Sequence, residues 1–596
     1  MSKLCRALRD AHPGLQCSDA EPDRICYARD LWPRHHIAVR AGRIAEHRPG
    51  VVVWPTDTEQ VARVVGWCAE RGVEIVPFGA GSGVCSGVLP TAESVVLDVK
   101  RMCRWRSLAP ERGTVDVEAG VQGIRLEEEL GPAGYTVGHF PSSILCSTVG
   151  GWVAARGAGQ CSGLYGKIED MVAALECVDG RGEVATLRRR SSGVDLVPLM
   201  VGSEGVLGVI TSVALRLHPF PEHRAFASLS FRDMHAGAEM IRRMYQRGLR
   251  PAVCRLYDPF DSMLAKLGAA MPGGHRNRRG AAPSMGLRAL VRLLRAPAVL
   301  NGVIDGVGGA AFGGALLVLV FEGPRDDTEQ QAAEARSIGR ALDAKDLGPG
   351  PAEHWFERRY TISYRQAPMF MAGGFSDTME VAAPWSTLGS LYEEVRRALR
   401  PHVLVMAHMS HAYPDGCSIY FTFAGSAPTD EACERLYDRA WADALEAVVT
   451  AGGSLSHHHG VGRSKAAKLG AELGVGIELI AAARDALDPR RVLNRGNLEA
   501  PDSKRATPAR PAPTRPVLDE RSQLVHVAGT HTLGDVEQVV AARGLSLGLR
   551  ADRAPAPATT IDDWLARGAP GAPAPWLDPV DHLLAGYAAE LGSGQV

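Results

Sequence analysis

Pro77-Phe78-Gly79-Ala80-Gly81-Ser82-Gly83-Val84-Cys85-Ser86-Gly87 follows the apolar run Val73-Glu74-Ile75-Val76 and ends its strand pattern in glycines. Glycine lets a chain turn with positive φ and aim consecutive N–H groups at one point, which is how backbone receives a diphosphate. The loop lacks the Lys-Ser/Thr of a P-loop, which argues against nucleoside triphosphate hydrolysis. No amphipathic helix follows it closely, as a Rossmann turn requires. The loop alone therefore reads as a nucleotide site of another kind or as a plain flexible turn.

The flanking pattern is α+β. Val51–Pro55, Ser94–Asp98 and Thr114–Ala119 read as short strands, and Thr56–Arg71 as a helix after an N-cap-like Thr-Asp-Thr. Thr328–Leu342 has helical periodicity, and Ser418–Phe423 alternates as a strand. Ala296–Phe321 is apolar, but Asn301, Asp305 and two glycine pairs interrupt it. It reads as a short helix and then a buried strand, Gly314–Phe321, rather than a membrane span. Leu287–Leu300, with Arg288, Arg292 and Arg295, reads as a core or lid helix, with docking on a bilayer as the alternative.

A chain of 596 residues predicts several domains and a substantial core. Net charge is −1, so no electrostatic footprint for nucleic acid is present. The 12 cysteines form no CxxC pair, which disfavours zinc ribbons and disulfide scaffolds and points to a reducing compartment. Residues 1–10 lack the apolar stretch of a signal peptide. A cytoplasmic location, with at most peripheral membrane contact, is expected.

Further motifs follow the loop: Gly138-His-Phe-Pro-Ser142-Ser143, Ser147-Thr148-Val-Gly-Gly-Trp152, Gly166-Lys-Ile-Glu-Asp-Met171 and Gly202-Ser-Glu204-Gly205-Val-Leu-Gly208. In this order and spacing the set resembles the FAD domain of the vanillyl-alcohol-oxidase/PCMH-type flavoenzyme superfamily. The resemblance implies FAD contacts at Gly79, Ala80, Gly81, Ser82, Gly83, Ser142, Ser143, Ser147, Thr148, Arg156, Glu204, Gly205 and Ile210. Some relatives anchor flavin covalently through a histidine of the glycine loop. Ser82 and its neighbours stand there instead, so noncovalent FAD is expected.

The C-terminal half carries His408-Met-Ser-His411 and Tyr420, then His457-His458-His459 between Gly452-Gly453 and Gly460-Val461-Gly462. Adjacent imidazoles flanked by glycine suit a site where backbone approaches a ligand and protons move near neutral pH. A solvated loop or an adventitious metal tract is the plainer reading. With the closing segment Leu487–Leu498, these stretches resemble alkylglycerone-phosphate synthases over roughly residues 25–500. The resemblance implies flavin-mediated exchange of the acyl group of acyl-dihydroxyacetone phosphate for a fatty alcohol, as in ether-lipid synthesis. Tyr420 is then the acid/base, and His457, His458 and His459 polarise the ketone and relay protons. Arg365 aligns approximately with the substrate-phosphate arginine, although Gln366 replaces the aspartate that should follow it; Arg358 and Arg359 are substitutes.

The rival resemblance is to FAD-linked D-2-hydroxyacid dehydrogenases, whose two histidines and a glutamate bind a divalent metal. Here His411 keeps the first ligand position, Tyr420 replaces the second histidine, and His458 replaces the glutamate. Losing the carboxylate argues against a metal, so none is expected. Two alternatives stay open: dehydrogenation or oxidation of a 2-hydroxy acid or related alcohol, and a catalytically inactive flavin-binding protein. The expected partner is a small molecule or lipid, and a homodimer is left open.

Beyond the proline-rich linker, Leu524–Gly544 echoes Val51–Gly72, Trp564–Gly571 echoes Trp152–Gly159, and Asp578–Leu583 echoes Lys167–Val172. The expected architecture is an N-terminal segment (1–50), a two-subdomain PCMH-type FAD-binding domain (51–223), and an α+β substrate or cap domain on an antiparallel sheet, returning to the flavin (224–500). A linker (501–520) and a degenerate partial repeat of the FAD domain (521–596) follow as a small C-terminal appendage.

Overall fold

The computed structural model describes residues 2–43, 46–190, 194–263, 285–311, 313–361, 366–499 and 512–572. Arg365, Asp578–Leu583 and most of the linker lie outside the described residues. The architecture is α+β, and three sheets carry the body.

The first sheet pairs Val51–Trp54, Val95–Asp98 and Ile75–Phe78 in parallel, with Gln16–Ser18 added antiparallel at one edge. Parallel strands are covered on both faces and read as continuous apolar runs, which is how Val51-Val-Val and Val95-Val-Leu read. The helix Thr58–Arg71 is capped by the Asp57 carboxylate on the Gln60 amide and closed by Gly72 at φ +66°. The glycine loop leaves the end of Ile75–Phe78, and Leu493 bridges to Ile75 at that strand's outer side. The chain's closing segment thus returns to the first sheet.

The second sheet, five antiparallel strands between Trp105 and Arg216, shares a hydrophobic core with the first. The third has seven strands, and its central members include Val253–Tyr257, Leu404–Ala412 and Gly416–Ser426, with Gly374–Pro384 at one edge. Helices cover this sheet over a second core that includes Phe375, Leu391, Phe421 and Tyr437. Leu404–Ala412 is buried throughout. Pro297–Ala311 is helical and Ala315–Gly323 is a strand with eight consecutive buried residues. Among the described residues no helix is long and apolar enough to cross a membrane.

Residues 512–572 form a small unit around Leu533, Val536, Ile561 and Trp564. Its hydrogen-bond register coincides with that of part of the second sheet. Val517 lies opposite His526 and Asp519 opposite Leu524, as Ser107 lies opposite Asp116 and Ala109 opposite Thr114. The helix N-caps Thr532 and Thr560 bridge to each other, as Gln122 and Thr148 do. The Leu533 amide meets the Thr559 carbonyl at 2.9 Å, and the Gly123 amide meets that of Ser147 at 3.0 Å. Ile561 pairs with the His531 carbonyl at 2.9 Å, as Val149 does with Val121 at 3.0 Å. The strand–helix stretch Leu524–Gly544 therefore corresponds to 114–134, not to Val51–Gly72 as the sequence suggested. Val51–Trp54 pairs parallel with Val95–Asp98 and antiparallel only with the distant Gln16–Ser18, whereas Leu524–His526 completes a tight antiparallel hairpin with Val517–Asp519. A strand, a helix and a terminal glycine occur in both stretches, so composition alone confused them.

Candidate functional site

One cavity of about 1640 Å³ runs between the glycine loop, the flavin-domain loops and the third sheet. Ligand pockets typically span roughly 300–1,000 Å³, so this space suits a cofactor and a substrate together. Gly79, Ala80, Gly81, Ser82, Gly83, Ser142, Ser143, Ser147, Thr148, Glu204, Gly205 and Ile210 all line it. The loop is shaped for close approach. A Cβ on Gly79 would collide with Thr148 Oγ1, and Gly81 has φ +63° with the Phe78 ring 2.6 Å from where a Cβ would sit. His139, fully buried and lining the cavity, leaves both ring nitrogens without a protein partner. Buried polar atoms are normally satisfied, so these point to a polar ligand, and the cradle fits FAD.

Arg156 departs from its expected role. It has φ +54°, its guanidinium pairs with Glu169 at 2.7 and 3.0 Å, and it does not line the cavity although Ala155 and Gly157 do. The left-handed backbone swings the side chain outward and leaves its neighbours on the wall.

Residues outside the expected set hold the loop. The buried Asp30 carboxylate accepts the Gly87 amide at 2.8 Å, and the Leu31 amide donates to the Gly83 carbonyl at 2.9 Å. Asn494 Nδ2 donates to the carbonyls of Gly87 (3.1 Å) and Glu204 (2.7 Å). The Glu204 carboxylate accepts the amides of Val461 and Gly462, immediately after the histidine tract, at 2.6 and 2.9 Å. Glu204 is thus a clasp between the FAD domain and the tract as well as a cavity wall.

The tract is set by Glu380, which sequence reasoning missed. Glu380 lies opposite Tyr420 across the Gly374–Pro384 and Gly416–Ser426 pairing. Its carboxylate accepts the amides of His457, His458 and His459 and stands 3.2 Å from His458 Nδ1. Lys465 Nζ lies 3.5 Å from it and donates to the Glu380 carbonyl at 3.1 Å; both side chains are fully buried. Burial alone would raise this carboxyl, but His458 and Lys465 hold it well below the usual range. A carboxylate therefore does reach the site, from a neighbouring strand rather than from the turn where the sequence had lost one.

With His458 Nδ1 facing Glu380, its Nε2 faces the Tyr420 hydroxyl at 2.8 Å. The same hydroxyl meets His411 Nε2 at 2.9 Å, and His411 Nδ1 meets Ser162 Oγ at 2.7 Å. Tyr413 donates to that Oγ at 3.3 Å. The result is an unbroken line from Glu380 through His458, Tyr420 and His411 to Ser162. His411 sits at a register shift in its strand with φ +53°, a strained conformation that re-aims the ring. Burial holds His411 and His457 well below the ordinary histidine range, pushes His459 down to about 3, and raises Tyr420 well above the ordinary tyrosine range. Tyr420, His411, His458 and His459 line the cavity; His457 sits behind, with Nδ1 3.1 Å from His458 Nδ1.

Glu380, His457 and His458 also bring ligand-type atoms within 4.8 Å of one another. A divalent cation there would meet a carboxylate already balanced by Lys465 and already accepting backbone amides, so hydrogen bonding accounts for the cluster better than a metal.

Arg255 is a second group the sequence did not single out. It lines the cavity, donates to His408 Nε2 at 2.8 Å, and leaves its buried Nε without a protein partner. His408 stacks on Tyr420 with centroids 4.6 Å apart and an interplanar angle of 16°. Arg358 and Arg359 line the cavity with His354 and Trp355.

Comparison with known proteins agrees with this geometry. The FAD binding domain model matches residues 49–188, and the model for the C-terminal domain of FAD linked oxidases matches 220–498. Alkyldihydroxyacetonephosphate synthase of Trypanosoma brucei brucei is 30% identical over 495 residues, covering 80% of this chain and 77% of that protein. The Caenorhabditis elegans protein of the same name is 28% identical over 481 residues, 78% of each. A solved alkyldihydroxyacetonephosphate synthase shares the fold with TM-score 0.64 at 24% identity, covering 82% of this chain and 83% of that one. The chain belongs to the FAD-linked oxidases of the PCMH/vanillyl-alcohol-oxidase superfamily. Within it the chain is related to alkyldihydroxyacetonephosphate-synthase-like proteins, and FAD is its cofactor.

Two predictions follow from the buried charges. Glu380→Gln leaves Lys465 buried without its counter-charge and is expected to lower stability by about 3–5 kcal/mol in urea unfolding. A loss below about 1 kcal/mol would show that the pair does not anchor the tract. The second concerns acid. Burial pushes His139 and His459 down to about 3, while an unfolded chain protonates histidine near about 6.5. Between those limits the unfolded state binds more protons, so stability is lost as pH falls. Tm is expected to drop steadily from about pH 6.5 to about pH 4.5, and a flat Tm across that window contradicts buried neutral imidazoles.

Proposed function

We propose that the chain exchanges the acyl group of an acyl-dihydroxyacetone-phosphate-like ketone for a fatty alcohol. The observation that carries this reading is the Tyr420 hydroxyl held between His411 and His458 on the wall of a cavity large enough for two ligands. In such an exchange the C1–O bond to the carboxylate breaks and a C1–O bond to the alcohol forms. The alcohol's proton is released, and neither substrate is oxidised overall. Bound FAD supplies the electron-pair chemistry at C1.

The protein's own groups then have separate tasks. Tyr420 takes the C1 proton as its own hydroxyl proton shifts to a neighbouring imidazole nitrogen, and the reverse shift gives it back. His458, fixed by Glu380 at Nδ1, presents Nε2 to that hydroxyl, while His411 and Ser162 carry the proton onward. Arg255, whose Nε has no protein partner, receives the substrate anion, since a guanidinium suits phosphate oxygens. Arg358 and Arg359 stand on the same cavity wall.

The lipid enters from a membrane surface. The helices Met285–Leu293 and Pro297–Ala311 expose Met285, Leu293, Val299 and Val303 beside the exposed Arg288, Arg292 and Arg295. Leu294 and Leu300 pack near Met369, in the short helix whose Phe370 and Met371 line the cavity. An apolar face with basic residues suits an anionic bilayer.

Tyr420→Phe is expected to keep FAD absorbance and lower fatty-acid release from acyl-dihydroxyacetone phosphate by about 10²–10⁴-fold. Full activity in that variant removes Tyr420 from the chemistry. Rapid reduction of an acceptor dye by a simple D-2-hydroxy acid would instead establish the dehydrogenase reading. In vesicle co-sedimentation, Leu293→Asp with Val299→Asp is expected to abolish binding to anionic liposomes while leaving turnover of detergent-dispersed substrate intact. Unchanged binding would move the docking face elsewhere.

A further inference from the structure

The C-terminal unit shares the register of the Trp105–Glu118 hairpin and of the two helix starts that follow it, yet where its counterpart lines the cavity it is unsuited to the same ligand. Gly150 and Gly151 line the cavity; the equivalent residues are Asp562 and Asp563. The Asp562 amide reaches the Gly529 carbonyl as the Gly150 amide reaches that of Ala119, and a Cβ on Gly529 would collide with the Asp562 carboxylate. Two carboxylates at that helix start repel a diphosphate, whereas paired glycines admit one.

Its seat on the body is specific. The turn between Val517–Asp519 and Leu524–His526 is shaped by the Asp519 carboxylate, which accepts the amides of Arg521 and Ser522 at 3.1 Å each. Ser522 is fully buried, and its Oγ accepts the Ser386 amide at 3.0 Å. Ser386 is the second residue of the helix Trp385–Leu399, whose N-cap Pro384 offers no side-chain cap, so the appended unit satisfies one of the first-turn amides. Arg521 Nε donates to the Trp385 carbonyl at 3.1 Å.

Those contacts lead to the relay. The Trp385 amide donates to the Asp415 carbonyl and its indole N–H to the Tyr413 carbonyl, each at 3.0 Å. Gln246 Nε2 donates to the Pro414 carbonyl at 3.0 Å and to the Arg521 carbonyl at 2.8 Å. Three successive carbonyls of the turn after His411 are therefore held by Trp385, through its indole and its backbone amide, and by Gln246, and both residues are hydrogen-bonded to Arg521. That turn carries Tyr413, whose hydroxyl donates to Ser162 Oγ. His411, two residues earlier, keeps its left-handed backbone only while its surroundings over-determine it.

We propose that the C-terminal unit is a flavin-free partial copy of the FAD domain retained as a strut, in which Arg521 and Ser522 position the 413–416 turn and, through Tyr413 and Ser162, the ring of His411. The inference rests on the relay reading of Tyr420 for its effect on turnover, but not for its effect on the turn. The full chain carrying Arg521→Ala with Ser522→Ala is compared with the parent by hydrogen–deuterium exchange and by turnover. The amides of Tyr413 and Gly416 are expected to exchange faster while flavin absorbance stays unchanged. Turnover is expected to fall roughly tenfold, on the scale of one lost positioning hydrogen bond. In a Tyr413→Phe background the same pair is expected to add no further loss, because contacts in one line are not additive. Ser522→Thr, which keeps the hydroxyl, is expected to restore slow exchange. Unchanged exchange in the turn overturns the strut, as does a loss that multiplies fully with that of Tyr413→Phe. Faster exchange in a protein whose Tyr420→Phe variant keeps full activity supports the strut and sinks the relay.

Discussion

The buried Glu380 carboxylate is the constraint on which the rest of the site depends. An ionised group taken out of water is tolerated only with partners on every side. Glu380 has three backbone amides from the histidine tract, His458 Nδ1 and the Lys465 ammonium. Meeting that demand fixes the tract: the chain from His457 to His459 must curl round the carboxylate, and His458 must turn Nδ1 inward. The second ring nitrogen of His458 then has one direction left, towards Tyr420. The orientation of His458 and Tyr420 follows from solvating one carboxylate, not from anything in the cavity.

A second carboxylate ties this arrangement to the cofactor. Glu204, on the flavin side, accepts the amides directly after the tract, while its own carbonyl and that of Gly87 are held by Asn494. The glycine loop, the histidine tract and the closing segment therefore share one hydrogen-bonded junction. A displacement of the diphosphate loop reaches the tract through a few polar contacts without crossing either hydrophobic core. Positive φ at Glu204 and Asn494, neither of them glycine, marks how tightly the junction is drawn.

The parts legible in the sequence were those whose chemistry is local. Glycines at 79 and 81 announce close approach of backbone because a side chain there would collide with Thr148 or Phe78, and Ser147-Thr148 announces the wall because Thr148 caps the helix that follows. Tyr420 and the histidines stood out as reactive types in unusual company. Glu380 was invisible because its importance comes from cross-strand register: it opposes Tyr420 across the sheet, some 40 positions away in the chain. Arg255 was hidden likewise, since a lone arginine in Val253–Tyr257 looks like any alternation until His408 is placed opposite that strand's end. Arg156 misled for the opposite reason, because a single φ of +54° turned its side chain away from the wall to which its neighbours belong. In the C-terminal unit the likeness was legible and the partner stretch was not, because composition does not record whether a strand pairs parallel or antiparallel.

The protonation states have a consequence for how the site works. His411 and His459 are held neutral by burial, and Tyr420 keeps its proton far into the alkaline range. Among the described residues Glu380 and Lys465 balance each other, and the Arg255 guanidinium adds a positive charge 5.9 Å from the Tyr420 ring. A hydroxyl raised above its usual range beside His411, held below its own, keeps the resting proton on Tyr420 and favours its return after any transfer. Such a line suits a group that must accept a proton and return it to the same place. A one-way base would be better served by an outlet to solvent or by an unbalanced carboxylate beside the hydroxyl. In the proposed exchange that preference, more than the identity of any one histidine, is what brings the proton back to Tyr420.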